Sequence, residues 1–405
     1  MKGFELAGIV KPIGKREDDL MPKLRRAAPV LLGTWLALLA AACGSCTADE
    51  PADAGFQPPS HQGFDQVDEH GALRVSYLSD PNLGHDFDGR YIVYSSRAAR
   101  MFLVDLETER EDRIFPRHMV QYSDTYPRRS FPTFAGKRII SRGRDAEELD
   151  LLLHVCTVTD WESEVLDVPT YRPNYMDSSG HLLVYNDQRY WDTLGGQNIE
   201  VFLYDFDTGV ETRLTEKLMQ QFTPKVSGDY VVWEDYGKGY EREEIALYHI
   251  PSGEIRMLTD DDVRQMAPEI DGNHVVWSDL RNGQASPGGG YRNLDIYLYR
   301  IDTGELRRIS DEEHEQKYPT IHGRWIAWTD TRHATDYSPS GIPDTTTIYV
   351  YDLETEQEKR VTFGEGFHEC CPKIHGDTLI YYSFGTGGWG SLWMVDLKRH
   401  FPDEE

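Results

Sequence analysis

The feature that most constrains the fold is a segment of 44 to 53 residues that recurs seven times. Each copy opens with a glycine that precedes a run of β-branched and aromatic residues. The opening glycines are Gly89, Gly136, Gly180, Gly228, Gly272, Gly323 and Gly376. Repeats of this length are typical of units that bury their apolar faces against their neighbours.

Each copy contains four short runs with the alternation expected of β-strands. In the clearest copy these runs are Pro224–Val226, Tyr230–Trp233, Ile245–Ile250 and Glu254–Thr259. The proline stands at the first residue of its strand, where its missing N–H is tolerated. Four-stranded antiparallel units at this spacing are typical of β-propeller blades. The sequence therefore predicts an all-β, seven-bladed propeller over residues 73–399, with six blades as the alternative because the second copy is degenerate.

The two ends of the repeat array predict how the ring closes. The last copy has strands at Leu379–Tyr382 and Leu392–Leu397 and then stops without a fourth strand, leaving residues 400–405 as a tail. The segment Leu73–Ser79 precedes the first copy and matches a fourth strand. We therefore expect this N-terminal strand to complete the last blade, because closure removes the unpaired edges of an open array.

Several elements match a known repeat: Trp277–Arg281, Asp295–Tyr299, and the pair Leu258–Thr259 followed by Pro268. Through them the chain resembles the TolB-like propellers, whose repeats are also called PD40 repeats. The Ser-Pro-Asp-Gly turns common in that family are missing here. The resemblance implies a propeller fold and leaves function open, since the family includes partner-binding periplasmic proteins, domains attached to peptidases and some polysaccharide lyases.

The residues before the propeller predict export. The uncharged run 27–42 follows a basic stretch and is shorter than the roughly 20 residues of a membrane span, so residues 21–42 fit a signal peptide. Residues 1–20 mix acidic with basic residues, which is atypical of the start of a signal peptide, and are either a mis-called extension before Met21 or a cytoplasmic tail on a signal anchor. Residues 43–72 are acidic and rich in Pro and Gly, which predicts a flexible tether.

Cys43 follows three alanines and precedes Gly44. This pattern resembles the lipobox of bacterial lipoproteins, although Ala40 stands where that family prefers Leu. The resemblance implies that Cys43 is acylated, and that Gly44 directs the protein to an outer membrane if the cell has one. The alternative is an ordinary signal peptide with a small-residue cleavage site. We expect an exported protein that is anchored to the cell envelope by its lipid.

The charge balance and the missing motifs exclude several function classes. The chain has 69 acidic and 42 basic residues, a net charge of -27, which repels the phosphates of nucleic acid. The segments His368–Pro372 and His314–Tyr318 begin like the H-E-x-x-H zinc motif but lack its second histidine and lead into strands. Nucleophile-elbow and Walker motifs are absent. The sequence predicts no catalytic residue, metal site or cofactor.

Polar residues recur where the first strand of a blade begins. Gln221, Gln265 and Gln316 stand three residues before the strand-opening proline, and His368 sits one residue earlier in the last blade. The first strand of a propeller blade lines the central channel. We therefore expect these residues at one channel mouth, where together with His85 they could bind a polar ligand or a metal. The alternative is that each glutamine bonds its neighbour's backbone around the ring.

Two further patterns have structural interpretations. Asp-x-Arg recurs after the second strand, at 187–189, 279–281 and 330–332, and repetition at equivalent positions predicts a turn bond or an inter-blade ion pair. Cys370 and Cys371 are adjacent, and in an oxidising compartment they could form a strained disulfide. The alternative is two reduced thiols packed as small apolar groups.

Taken together, these features predict a non-catalytic envelope lipoprotein, a monomer whose propeller acts as a scaffold that binds a protein or a glycan. The alternative follows from the TolB-like resemblance. Lyases of this fold hold a metal with His and Gln near the channel, which implies an enzyme acting on an acidic polysaccharide with a metal at the channel mouth.

Overall fold

The computed structural model describes residues 67–68, 71–76, 84–95, 101–114, 132–144, 151–158, 163–191, 198–240, 242–285, 291–337, 343–364, 367–385 and 390–401. These belong to a compact unit formed by residues 42–405. A second unit, residues 1–41, lies outside the described residues, as does Cys43. Within the described part of the chain, no helix has the length and apolar character needed to cross a membrane.

Seven four-stranded antiparallel sheets form the blades of a propeller, which confirms the predicted count. Blade 1 contains β2 (His85–Phe87), β3 (Tyr91–Ser95), β4 (Met101–Asp105) and β5 (Arg110–Ile114). Blade 2 contains β6 (Thr133–Ala135), β7 (Arg138–Arg144), β8 (Leu151–Thr157) and β9 (Ser163–Val165). Blade 3 contains β10 (Met176–Ser179), β11 (Leu182–Asp187), β12 (Glu200–Asp205) and β13 (Val210–Arg213).

The remaining blades follow the same order. Blade 4 contains β14 (Gln221–Ser227), β15 (Tyr230–Asp235), β16 (Glu244–His249) and β17 (Glu254–Met257). Blade 5 contains β18 (Gln265–Asp271), β19 (His274–Asp279), β22 (Asp295–Arg300) and β23 (Leu306–Arg308), with a small hairpin of β20 (Gln284–Ala285) and β21 (Tyr291–Arg292) between its second and third strands. Blade 6 contains β24 (Gln316–His322), β25 (Trp325–Asp330), β26 (Thr347–Asp352) and β27 (Gln357–Arg360).

Blade 7 is built from both ends of the chain. Its inner strands are β28 (Phe367–His375), β29 (Thr378–Gly385) and β30 (Gly390–Asp396), and its outer strand is β1 (Leu73–Arg74). Beyond β1, the Val75 amide donates to the Leu392 carbonyl at 2.9 Å, and the Leu392 amide donates to Ser76 Oγ at 2.8 Å. The predicted closure is confirmed, and residues 77–79 of the predicted strand lie outside the described residues. A short helix, α1 (Leu397–His400), follows β30.

The apolar core is divided among the blade interfaces. Seven clusters of buried residues are present in the described part of the chain, one between each pair of consecutive blades. The second strands are buried on both faces: in β15, Val231 and Trp233 pack toward blade 3 and Val232 packs toward blade 5. Burial on both faces explains why these strands read as continuous apolar runs.

The two faces of the propeller differ in their connections. The turn face holds the turns between first and second strands and between third and fourth strands. All seven opening glycines lie there with φ between 53° and 99°, a region that favours glycine. The loop face holds the connections from second to third strands and from each fourth strand to the next blade. Functional residues commonly lie on such loops of a rigid scaffold.

Candidate functional site

The central channel is lined by the first strands of the blades. The residues three positions before the opening glycines are Asp86, Thr133, Asp177, Lys225, Glu269, Thr320 and Lys373. Lys225 Nζ lies 2.8 Å from Glu269 and 3.6 Å from Asp177, and Lys373 Nζ lies 3.0 Å from Glu269. The last contact joins blades 7 and 5, so it crosses the channel. Ion pairs therefore connect four blades through the channel.

These charges are partly buried and depend on one another. Burial would raise the pKa of Glu269, but Lys225 and Lys373 hold it below its usual range. Burial raises the pKa of Asp177 to about 6, although Lys225 opposes the shift. Burial lowers the pKa of Lys225, but Glu269 and Asp177 outweigh this effect and raise it. The network is thus a layer of paired charges at this level of the channel.

The three predicted glutamines lie at the loop face and are fully buried. Gln221 Nε2 donates to the Met219 carbonyl at 2.8 Å, and Gln221 Oε1 accepts from the Thr215 hydroxyl at 3.1 Å. Gln316 binds its own connection in the same way, and Gln265 Nε2 donates to Asp261. Their side chains therefore hold the connections between blades.

Glu369 takes the place of the glutamine in blade 7, a position that the sequence analysis did not single out. Like those glutamines it stands three residues before a proline, and its amide donates to the preceding blade, here to the Thr346 carbonyl at 3.1 Å. The side chain is 5% exposed. Burial raises the pKa of Glu369 to about 7, against hydrogen bonds from Thr362 and the Gly364 amide that lower it.

The predicted histidines are buried beside aromatic rings. His368 stacks on Phe384, with ring centroids 5.0 Å apart, and burial lowers its pKa. The ring of His85 lies 6.2 Å from that of Tyr382, which lies 6.5 Å from Phe384. The described residues contain one group of three potential metal ligands within 4.8 Å of one another, and it includes neither histidine. The candidate residues therefore do not converge on a metal position.

That one group, His181, Asp205 and Asp207, lies on the turn face of blade 3. His181 directly follows an opening glycine, and its Nε2 lies 3.8 Å from Asp205. Asp205 already accepts from the Asp207 amide and the Thr208 hydroxyl in the same turn. Equivalent pairs elsewhere are Arg90 with Asp105 and Arg324 with Asp352. The group is therefore one copy of an ion pair that recurs in the turns of the blades.

The Asp-x-Arg motifs brace the loop face from within each blade. Asp279 accepts from Trp277 Nε1 at 2.8 Å and from the Arg281 amide at 2.9 Å, and it pairs with the Arg281 guanidinium at 2.6 Å. That guanidinium lies over the ring of Tyr297. Asp330 forms the same set of bonds with Trp328 and Arg332. The predicted turn bond is present, and the ion pair forms within one blade.

The loop face also carries exposed aromatic side chains. Among the described residues, the exposed aromatics are Tyr171, Tyr240, Tyr337, Phe363 and Phe367, at 37 to 61% exposure. All five belong to the loop-face connections or to the first residue of a strand that starts there. By contrast, the exposed apolar residues of the fourth strands are aliphatic: Val165, Val210, Ile255, Met257 and Leu306. Aromatic exposure thus separates the loop face from the outer edges of the blades.

One of these aromatics ends a row that runs from blade 3 into blade 4. Ring centroids lie 6.1 Å apart for Tyr175 and Phe222, 5.1 Å for Phe222 and Tyr236, and 5.8 Å for Tyr236 and Tyr240. The inner rings of this aromatic row hold Tyr240 at the surface. Lys238 lies next to it and pairs with Glu244 at 2.8 Å. Tyr240 is thus an exposed aromatic ring that lies close in sequence to an ion pair.

The sequence matches no family model and no curated protein. The fold is similar to several solved structures. An oligogalacturonate lyase in complex with manganese has a TM-score of 0.55 at 13% identity, covering 83% of this chain and 96% of that one. The propeller domain of the Trilobed protease from Pyrococcus furiosus has a TM-score of 0.54 at 12% identity, covering 79% and 95%. The tricorn protease has a TM-score of 0.54 at 12% identity over 80% of this chain, which spans only 36% of that protein. These likenesses show the propeller fold alone.

Proposed function

We propose that this protein is a non-catalytic scaffold whose loop face binds a protein or a glycan of the cell envelope. The observation that carries the proposal is the position of the exposed aromatics: all five of those among the described residues lie on the loop face. Aromatic side chains are enriched at binding surfaces because they bury a large area at low entropic cost. A surface of this kind fits a partner's apolar groups or the faces of sugar rings.

The framework beneath the loop face supports a binding role. The connections start and end on strands whose cores are packed in seven separate interfaces. Asp279 and Asp330 brace the start of these connections with charged hydrogen bonds. A pre-organised surface loses less conformational entropy when it binds, which raises affinity without new contacts.

The location in the envelope is a separate part of the proposal, because Cys43 lies outside the described residues. Acylation of Cys43 would anchor the mature chain stably, since several acyl chains together exceed the marginal binding of one. The mature protein should then partition into detergent and carry acyl mass at its N-terminus, and Cys43→Ala should abolish both. An N-terminal Cys43 without added mass would leave simple secretion.

The lyase-like alternative needs a metal at the channel mouth, and the residues present do not fit one. The three glutamines are fully buried and bonded to their own connections, and the two histidines are buried beside aromatic rings. Metal content separates the two functions. Stoichiometric manganese, calcium or zinc in the purified protein, lost together with a lyase activity on oligogalacturonate, would overturn the non-catalytic assignment.

The binding test compares two sets of single variants. Tyr240→Ala and Phe367→Ala remove exposed aromatics from the loop face, while Ile255→Ala and Leu306→Ala remove comparably exposed residues from the outer edges. The immobilised proteins are probed with neutral and acidic glycan arrays and with detergent-solubilised envelope protein. We expect a loop-face variant to weaken binding about 10-fold or more, as central aromatic contacts do. Equal losses in both sets, or in neither, would contradict a loop-face site.

A further inference from the structure

A bulge recurs in the first strands of blades 4 to 7, immediately before the proline. In each of these strands the pairing register shifts between the residue two positions before the proline and the residue after it. The residue before the proline has a positive φ in all four blades: Thr223 (46°), Ala267 (52°), Tyr318 (56°) and Cys371 (58°). Each bulge therefore places one non-glycine residue in the left-handed region, where the side chain leaves the regular alternation of the strand.

In blade 7 this bulge brings two thiols together. Adjacent side chains of a regular strand point to opposite faces. At the bulge, the sulfur atoms of Cys370 and Cys371 lie 3.3 Å apart, and both cysteines are reduced. Cys370 is 2% exposed, whereas Cys371 is only partly buried. Cys371 is thus the more exposed of the two residues, and its sulfur lies against that of the buried Cys370.

The bulge itself does not require cysteine. The equivalent pairs in the other three blades are Phe222–Thr223, Met266–Ala267 and Lys317–Tyr318. Those pairs hold the same backbone with apolar, polar, charged and aromatic side chains. The bulge therefore does not explain why two adjacent thiols stand at one of the four equivalent positions.

The thiols also lie at the seam of the ring. Cys370 packs in the apolar cluster between blades 7 and 1, together with Val75, Tyr382 and Leu392, and Cys371 packs against the same cluster. The Val75 amide donates to the Leu392 carbonyl where the N-terminal segment joins the last blade. A chemical change at the thiols therefore acts on the contacts that close the propeller.

We infer that Cys370 and Cys371 form a redox site that a small-molecule disulfide, such as oxidised glutathione, converts reversibly to a vicinal disulfide. The Cys371 thiolate attacks one sulfur of the oxidant, and one glutathione thiol leaves. The Cys370 thiol then loses its proton and attacks the Cys371 sulfur, and the second glutathione thiol leaves. Two protons and two electrons pass from the protein to the oxidant. Closing the bond moves the sulfurs from 3.3 Å to about 2.05 Å, which shifts the bulge.

The test equilibrates the purified full-length protein in glutathione buffers of increasing oxidation, followed by alkylation of free thiols and peptide mass mapping. We expect the peptide with Cys370 and Cys371 to lose both labels together, to lose the mass of two hydrogen atoms, and to recover both labels after dithiothreitol. Cys156, a buried thiol in blade 2, should keep its label throughout. Retention of both labels, a persistent glutathione adduct on Cys371, or a bridge to Cys156 would overturn the inference.

A matched variant tests the link to the seam. The double substitution Cys370→Met and Cys371→Ala copies the Met266–Ala267 pair that the same bulge holds in blade 5. The oxidant should change the melting temperature of the wild-type protein and leave that of the double variant unchanged. An equal change in both proteins would mean that the oxidant acts elsewhere.

Discussion

Replacing Glu369 by glutamine should stabilise the protein, and the gain should depend on pH. In blades 4 and 6 the equivalent glutamine donates through Nε2 to a backbone carbonyl, of Met219 or His314, and accepts through Oε1 from a hydroxyl. Glu369 Oε2 is buried without a hydrogen-bond partner among the described residues. A carboxylate cannot donate, so only the protonated acid matches what the other blades place there.

The size of the effect follows from the pKa of Glu369, which is raised by burial from its usual 4.5 to about 7. Between these two values the folded protein keeps a proton that the unfolded chain releases. The free energy of unfolding therefore falls as pH rises through this window, and the loss is complete above pH 7. A pKa difference of this size corresponds to about 3 kcal/mol. Glu369→Gln removes the loss, so its advantage should rise from about 1 kcal/mol at about pH 5 to about 3 kcal/mol at about pH 8.5.

The assay is urea unfolding followed by tryptophan fluorescence across that pH range, on wild-type protein and the Glu369→Gln variant. Other titrating groups are common to both proteins and cancel in the difference. The reverse change, Gln316→Glu, serves as the matched variant, because it places a carboxyl in an equivalent, fully buried site. It should lose stability as pH rises. If the difference between wild type and Glu369→Gln stays flat from pH 5 to 8.5, the assignment of a buried, protonated Glu369 is wrong.

Deleting residues 73–76, which include β1, should lower the free energy of unfolding by at least about 3 kcal/mol, because the deletion removes a strand ladder and buried apolar area. An unchanged urea midpoint would contradict closure by this strand. Lys225→Met should cost about 3 kcal/mol, because it removes the cation beside Asp177 and leaves Glu269 with Lys373 alone. Lys225→Arg should retain most of the stability, and equal unfolding curves for both variants would refute the ion-pair network. Asp279→Asn weakens the bonds to Arg281 and should cost about 1 to 3 kcal/mol in urea unfolding. Asp112→Asn, in an exposed pair with Arg110, should cost little, and similar losses would count against the brace.

The architecture could be predicted from the sequence because every blade buries its apolar residues in the same way. Second strands such as β15 and β19 bury both faces, so the same apolar run must recur wherever a blade does. The opening glycines recur because their turns need positive φ. The spare strand at Leu73 and the incomplete last blade then leave one way to close the ring.

The candidate site was harder to predict because it depends on connections, which have no periodicity. Spacing from the proline located Gln221 at the start of a first strand but not the direction of its amide, which turns back into its own connection. The spacing of Asp279 and Arg281 did not indicate whether they pair with each other or with residues of a neighbouring blade. Tyr240 and Phe367 are exposed only because of how their loops are placed. The proximity of the sulfurs at Cys371 depends on a left-handed bulge that the residue types alone do not reveal.

Closure by the N-terminal strand also determines the order in which the blades can fold. Leu73 leaves the ribosome early, yet its partner Met394 follows about 320 residues later. Joining segments so far apart costs about 5 kcal/mol of chain entropy before any contact compensates. Blades 1 to 6 consist of strands that are close together in the sequence and can form in order, whereas β1 cannot pair until β30 is present. A chain interrupted before its last blade would therefore keep an unpaired segment at one end and an open blade at the other, two features by which quality control can distinguish a partial product from a complete one.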